Sequence, residues 1–215
     1  MSVKKFCKQH SLSLTLAALT LACLGLQAWF GWQVDAGERL QAGRQALSFF
    51  GYLASGAFVS ATFENWESEF LQMGMYVLLT VKLHQRGSAE SRPLDPSQEH
   101  PRIEAGPQPW PVRKGGLWRI LYGHSLSAML LLLFVASFAL HLSGSWRHAL
   151  DAGDVAAGTT RLEYLAEPRF WFESMQNWQS EFMAVFALVM LSIFLRQKNS
   201  PESKPVEAPH RQTGR

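Results

Sequence analysis

Cysteine, charge and catalytic motifs are all scarce in this sequence. Its 215 residues include two cysteines, Cys7 and Cys23, too few for a disulfide framework and too far apart for a Cys-x-x-Cys redox pair. No glycine-rich phosphate loop, nucleophile elbow, His-Glu-x-x-His or paired-cysteine motif occurs. The sequence therefore supplies no residues on which catalysis, a cofactor or a metal could rest, and a non-enzyme is expected. Charged residues make up 17% of the chain, and their uneven spread is hidden by a mean hydropathy of -0.03. Residues 11–30 form a run of twenty without a charge, and residues 125–142 a run of eighteen interrupted only by His141. A helix needs about twenty apolar residues to cross ~30 Å of hydrocarbon. This pattern excludes a single soluble core, a secreted disulfide scaffold and a DNA-binding domain, and points to an integral membrane protein.

Two shorter uncharged stretches, 70–81 and 182–195, reach only ~18–21 Å at ~1.5 Å per residue and must start earlier to cross. An internal repeat indicates where. NWESEFLQM at 65–73 matches NWQSEFMAV at 177–185, an offset of 112, and thirteen of the thirty-one positions in 63–93 are identical in 175–205. The polar ends QRGSAESRP (85–93) and QKNSPESKP (197–205) keep that offset, while HSLSL (10–14), HSLSA (124–128), Trp32 and Trp146 align at 114. Such agreement marks a duplication.

The expected fold is an all-α integral membrane protein with four transmembrane helices, arranged as two tandem two-helix repeats. The first repeat covers 1–93, with spans near 11–31 and 66–84, and the second covers 117–205, with spans near 124–143 and 178–196. The Pro-rich segment 94–116 between them reads as a flexible linker, and the tail 206–215 is similar. Each repeat holds an even number of spans, so the copies point the same way about a pseudo-two-fold axis along the membrane normal.

Basic residues set the orientation. Fifteen of the twenty Lys and Arg lie in the N-terminus, the middle segment and the tail, whereas the two remaining loops hold five, together with eleven of the seventeen acidic residues. Both termini and the middle segment are therefore expected in the cytoplasm. The formal +3 divides into about +9 inside and -6 outside, which is ordinary topology. No nucleic-acid partner is expected, and anionic lipid is the natural partner of the inner charge. Lys4, Lys5 and Lys8 before a leucine-rich run also resemble a secretion signal with a lipid-modified Cys23. Against that alternative, the equivalent of Cys23 is Ser137, in a helix that spans uncut.

The second helix of each repeat carries two patterns. Positions 59, 63, 66, 70, 73 and 77 and their equivalents are all apolar, a heptad-spaced seam expected to pack. Pro168 and Ser55 mark the helix starts. Roughly opposite the seam stand Asn65, Ser68, Glu69, Gln72 and Tyr76, matched by Asn177, Ser180 and Glu181. These six repeated side chains (Asn65, Ser68, Glu69, Asn177, Ser180 and Glu181) form the candidate polar or ion site. Two carboxylates converging near a pseudo-axis suit a proton or cation route, because intramembrane acids are costly and often mark one. The structural alternative, cross-helix hydrogen bonding, is favoured. A boundary position lowers the cost, and Ala184 and Leu188 replace Gln72 and Tyr76 in the second copy. A second candidate is the repeated cytoplasmic motif Ser88, Glu90, Ser91 and Pro93, with Ser200, Glu202, Ser203 and Pro205. His10 and His124 begin equivalent spans but have no further ligands at metal-binding spacing, and the lone His141 reads as a satisfied interfacial residue.

The motifs ENWESEFLQM (64–73), QRGSAESRP (85–93), QNWQSEF (176–182) and SPESKPVEAPH (200–210) resemble a family of small bacterial inner-membrane proteins, domain of unknown function 6766. The resemblance covers nearly the whole chain. It implies a bacterial inner-membrane location but brings no activity and no functional residues. Two functional classes stand. The first is a non-enzymatic membrane interaction or structural protein, whose partners are the lipid bilayer and a second copy or another membrane protein. The second is proton- or cation-linked transport through an oligomer using Glu69 and Glu181.

Overall fold

The structure is a computed structural model that describes residues 3–99 and 103–214. Every regular element among the described residues is helical. In chain order they are α1 (Val3–Gln9), α2 (Ser11–Gln41), α3 (Phe49–Leu53), α4 (Gly56–Lys82), α5 (Trp110–Lys114), α6 (Gly116–Gly123), α7 (Ser125–Ala152), α8 (Arg161–Tyr164) and α9 (Pro168–Phe194), with one 3-10 turn at Pro96–Gln98. The starts follow the local chemistry. The Ser55 hydroxyl accepts the Phe58 N–H at 3.3 Å ahead of α4, and Pro168 opens α9, where a missing N–H costs nothing.

Three helices, α2, α7 and α9, are long and apolar enough to cross a membrane. The fourth expected span, on α4, does not meet that measure. Helix α4 is as long as α9 at 27 residues, about 40 Å. Its N-terminal half, however, carries Glu64, Glu67 and Glu69 beside Asn65, so its longest uncharged stretch is 70–81. The helices also run past the expected spans: α2 continues to Gln41, α7 to Ala152, and α4 begins at Gly56.

Burial is inverted relative to a water-soluble core. Among the described residues, the buried hydrophobic side chains are six (Ala28, Tyr52, Ala89, Ala149, Tyr164, Phe170), whereas sixteen buried side chains are polar or charged. The heptad seam is packed only in part. Trp66, Met73, Trp171, Met175 and Phe182 are exposed, whereas Ser60, Thr62, Glu67, Ser68 and Gln72 of α4 are buried. Helices packed in lipid would show such a distribution, because apolar side chains there gain nothing by turning inward.

The chain forms two compact units, Met1–Thr62 with Leu140–Tyr164, and Phe63–Ala139 with Leu165–Arg215. In the first, α4 crosses α7 with backbones in near contact: a Cβ on Gly144 would lie 2.5 Å from the Ser60 nitrogen. Arg39, buried, donates to Asp35 at 2.7 Å and also to Asp151, while Arg44 donates to the Asp151 carbonyl at 2.6 Å. Two tryptophans fasten loops. Trp32 Nε1 donates to the Leu47 carbonyl at 2.8 Å and Trp146 Nε1 to that of Thr159 at 2.9 Å. These two bonds are offset by 114 at the donor and 112 at the acceptor. Tyr52 and Tyr164, also 112 apart, are both buried, and the Tyr164 hydroxyl lies 2.8 Å from Ser145 Oγ.

In the second unit, Gly74 of α4 packs against Leu130 and Leu131 of α7, and Phe138 stacks edge-on to Phe170 of α9. Helix α5, in the segment expected as a linker, and α6 just after it form a small aromatic clamp, with Lys114 Nζ 4.8 Å from the ring centres of both Trp110 and Trp118.

Candidate functional site

The candidate polar residues all fall in the second unit, on facing sides of α4 and α9. Ser68 and Ser180 make the same bond, each Oγ donating to the carbonyl three residues earlier, Asn65 and Asn177, at 2.8 Å. Asn177 Nδ2 donates to the Glu173 carbonyl at 3.1 Å. The side chains of Glu69 and Glu181 lie close enough to interact. Residues that meet their own repeat equivalents lie where a pseudo-two-fold axis would pass.

Two further acid positions escaped the sequence reading. Glu67 is fully buried and accepts the Trp178 indole N–H at 3.0 Å. Carboxylate oxygens of Glu64 and Glu173 lie within 4.8 Å of each other, with Arg169 3.1 Å from Glu173. A signal for Glu67 was present, since Ser60, Glu67 and Gly74 are seven apart and form a small-and-polar stripe on the face that packs. His141 is fully buried on α7, and Cys7 and Cys23 are both exposed free thiols.

The second candidate, the repeated motif, folds into the same turn twice. Gln85 N donates to Ser91 Oγ and Gln197 N to Ser203 Oγ, both at 2.9 Å. Glu90 N donates to Ser88 Oγ and Glu202 N to Ser200 Oγ, both at 3.1 Å. The residue before the first serine takes a left-handed backbone in each, Gly87 at φ 86° and Asn199 at φ 66°, and these are the two residue types that tolerate it best. The spacing Ser-x-Glu-Ser thus encodes a turn in which each serine hydroxyl satisfies a backbone N–H.

The basic residue that follows then diverges. Arg92 is exposed and pairs with Glu99 at 2.6 Å; that hydrogen bond holds the Glu99 carboxyl below the usual carboxylate range. Lys204 is buried, and its ammonium donates to the carbonyls of Gly87, His210 (3.0 Å) and Gln212 (2.9 Å). Burial, with the nearby Arg196 charge, pushes its pKa below the ordinary lysine value. Around it the tail closes on the first motif. Gly87 N donates to Thr213 Oγ1 at 2.9 Å, Gly214 N to the Ser88 carbonyl at 3.0 Å, and Ser88 Oγ lies 2.8 Å from Ser192 Oγ. A Cβ on Gly87 would sit 2.7 Å from the His210 carbonyl oxygen. The tail expected to be flexible is therefore a strap, fixed by one buried cation and backbone pairing that composition does not reveal.

Fold and site together define an all-helical protein with three helices long and apolar enough to cross a membrane. The chain belongs to the family described as Domain of unknown function (DUF6766), which it matches over residues 3–215. No curated protein matches it, and no solved structure does.

Proposed function

We propose that this chain is a four-span protein of the bacterial inner membrane, built from two tandem helical hairpins, and that it works without catalysis as an interaction or structural protein of that membrane. The observation that carries this reading is the clasp at the inner ends of α4 and α9. Both motif copies use their serines on turns, and the second copy's lysine and tail fasten the first. The polar groups serve assembly. The recurrence of the same bonds at offsets of 112 and 114 supports two copies of one unit.

Support for the fourth crossing comes from chain continuity. The Arg39–Asp151 pair keeps the ends of α2 and α7 on one side of any membrane, and the short connections to α4 and α9 start there. The contacts of Lys204 and Gly214 with Gly87 and Ser88 keep the ends of α4 and α9 together. If α9 crosses, α4 joins the same two sides and crosses with it. The fifteen-to-five division of basic residues supports a cytoplasmic clasp. Extraction in mild detergent followed by mass measurement tests the interaction role. A stable homo-oligomer or stoichiometric membrane partner is expected, and a lone monomer would contradict it.

The proximity of the Glu69 and Glu181 side chains favours a second reading, proton-linked transport. Proton flux into vesicles, above that of empty ones and abolished by the double variant Glu69→Gln/Glu181→Gln, would replace the first reading with this one.

A further inference from the structure

Two cavities in the second unit occupy corresponding places in the two halves of the sequence. The first, of about 370 Å³, is walled by Leu79 of α4, by Leu83 just past its end, and by Val185, Phe186 and Val189 of α9. Its polar side is formed by His84, Gln85, Glu90 and Ser91 of the first motif. The second, of about 280 Å³, is lined by Leu191, Leu195, Arg196, Gln197, Glu202 and Ser203 with Leu188 and Ser192. Each of these eight residues lies 112 positions after a residue that lines the first cavity. A chance surface dimple has no reason to recur with the repeat.

The linings are graded in the same direction. The apolar walls belong to the uncharged stretches 70–81 and 182–195 or their immediate ends, and the polar side is the motif turn where each helix leaves its apolar stretch. An occupant must therefore be apolar at one end and polar at the other. At the polar side each cavity offers a carboxylate (Glu90 or Glu202), a serine hydroxyl (Ser91 or Ser203) and a basic side chain (His84 or Arg196). A carboxylate beside a base complements a zwitterion, with a hydrogen-donating cation for the first and a phosphate for the second. In the first cavity the Tyr76 hydroxyl donates to Glu90 at 3.2 Å and fixes that carboxylate, whereas Leu188 stands at the equivalent place.

We propose that the two cavities are paired binding sites for a phospholipid with a primary-ammonium headgroup, the ammonium on Glu90 or Glu202 and an acyl chain against the leucines below. This rests on the membrane reading above. The first site is the tighter, because it is larger, walled by two helices and has its carboxylate oriented. Its volume lies within the usual range of small-ligand pockets, and the second falls just short of it.

The test uses the full chain purified from membranes, with native mass spectrometry during titration with palmitoyl-oleoyl phosphatidylethanolamine or the phosphatidylglycerol of the same chains. The wild type is expected to retain up to two ethanolamine lipids in unequal steps and to prefer them to glycerol lipid. Glu90→Gln, which keeps size and an acceptor for Tyr76, should weaken the first step about tenfold or more by removing a charge-assisted bond. Glu202→Gln should affect only the second step. Leu83→Trp, which fills the first cavity from its apolar wall without changing charge, should remove the first step and serves if the Gln variants fail to accumulate. Equal binding of both lipids, preference for phosphatidylglycerol, or unchanged binding in Glu90→Gln and Leu83→Trp would overturn the proposal while leaving the membrane reading intact. A chain found in the soluble fraction would overturn the membrane reading itself, and the lipid sites with it.

Discussion

Lys204→Met removes the ammonium at the centre of the clasp while keeping most of the side-chain stem. In the native protein that group is 1% exposed and donates to three carbonyl oxygens, of Gly87, His210 and Gln212. A hydrogen bond to a charged donor contributes about 1.5–3 kcal/mol, and a buried acceptor left unsatisfied costs roughly 1–3 kcal/mol. Against these gains stands the desolvation of the ammonium, several kcal/mol, which methionine avoids. Water reaching part of the released backbone lowers the loss further, so a net weakening of about 2–4 kcal/mol is expected. At the middle of that range the strap opens roughly a hundredfold more often. Hydrogen–deuterium exchange on peptides covering 84–93 and 205–214 reads this directly, because exchange follows local opening. Faster exchange is expected in both peptides and not in 28–60. Lys204→Arg should recover only part of the protection, since a planar fork does not fit acceptors arranged around a point charge. The lowered Lys204 pKa sets a pH dependence as well. The docked state binds fewer protons than the open one, so docking should strengthen as pH rises from the folded pKa toward the ordinary lysine value. Unchanged exchange in Lys204→Met, or acceleration spread over the whole chain, would refute the clasp.

Two other substitutions probe the packing. Gly144→Ala places a Cβ 2.5 Å from the backbone nitrogen of Ser60, so the α4–α7 crossing must open at a cost of about 1–3 kcal/mol; a lowered thermal midpoint in detergent checks it, and an unchanged midpoint would contradict the crossing. Glu67→Gln keeps an oxygen for the Trp178 indole, bonded at 3.0 Å in the native protein, and should be nearly neutral, whereas Glu67→Leu orphans that N–H and should cost roughly 1–3 kcal/mol in the same assay.

The sequence made the helical class and the start of α9 legible because each rests on a local signal: an uncharged run, a proline at the first turn. The direction in which α4 faces was not. A heptad seam of Phe63, Trp66, Phe70 and Met73 has the spacing of a packed stripe, and that inference carries the bias of water, where apolar faces turn inward. Trp66 and Met73 stay exposed, as helices packed in lipid would leave them, and Ser60, Glu67 and Gly74 show the side that packs. Glu69 and Glu181 were found as repeat equivalents, but their meeting depends on how α4 and α9 pack, which no one-dimensional pattern specifies. The strap was illegible for a different reason. Residues 206–214 have little to bury, and what orders them is backbone pairing around Lys204, a residue that composition counts only as one more surface charge.

The most direct test of the four-span account compares single cysteines at Gln45, Ala105 and Ala157 in a chain whose Cys7 and Cys23 are replaced by serine. Intact cells are treated with an impermeant maleimide. If α4 crosses and the clasp is cytoplasmic, Gln45→Cys and Ala157→Cys are labelled and Ala105→Cys reacts only after the membrane is opened. Matching reactivity of positions 45 and 105 in intact cells would mean that α4 does not cross, and would contradict the pair of hairpins on which the whole account depends.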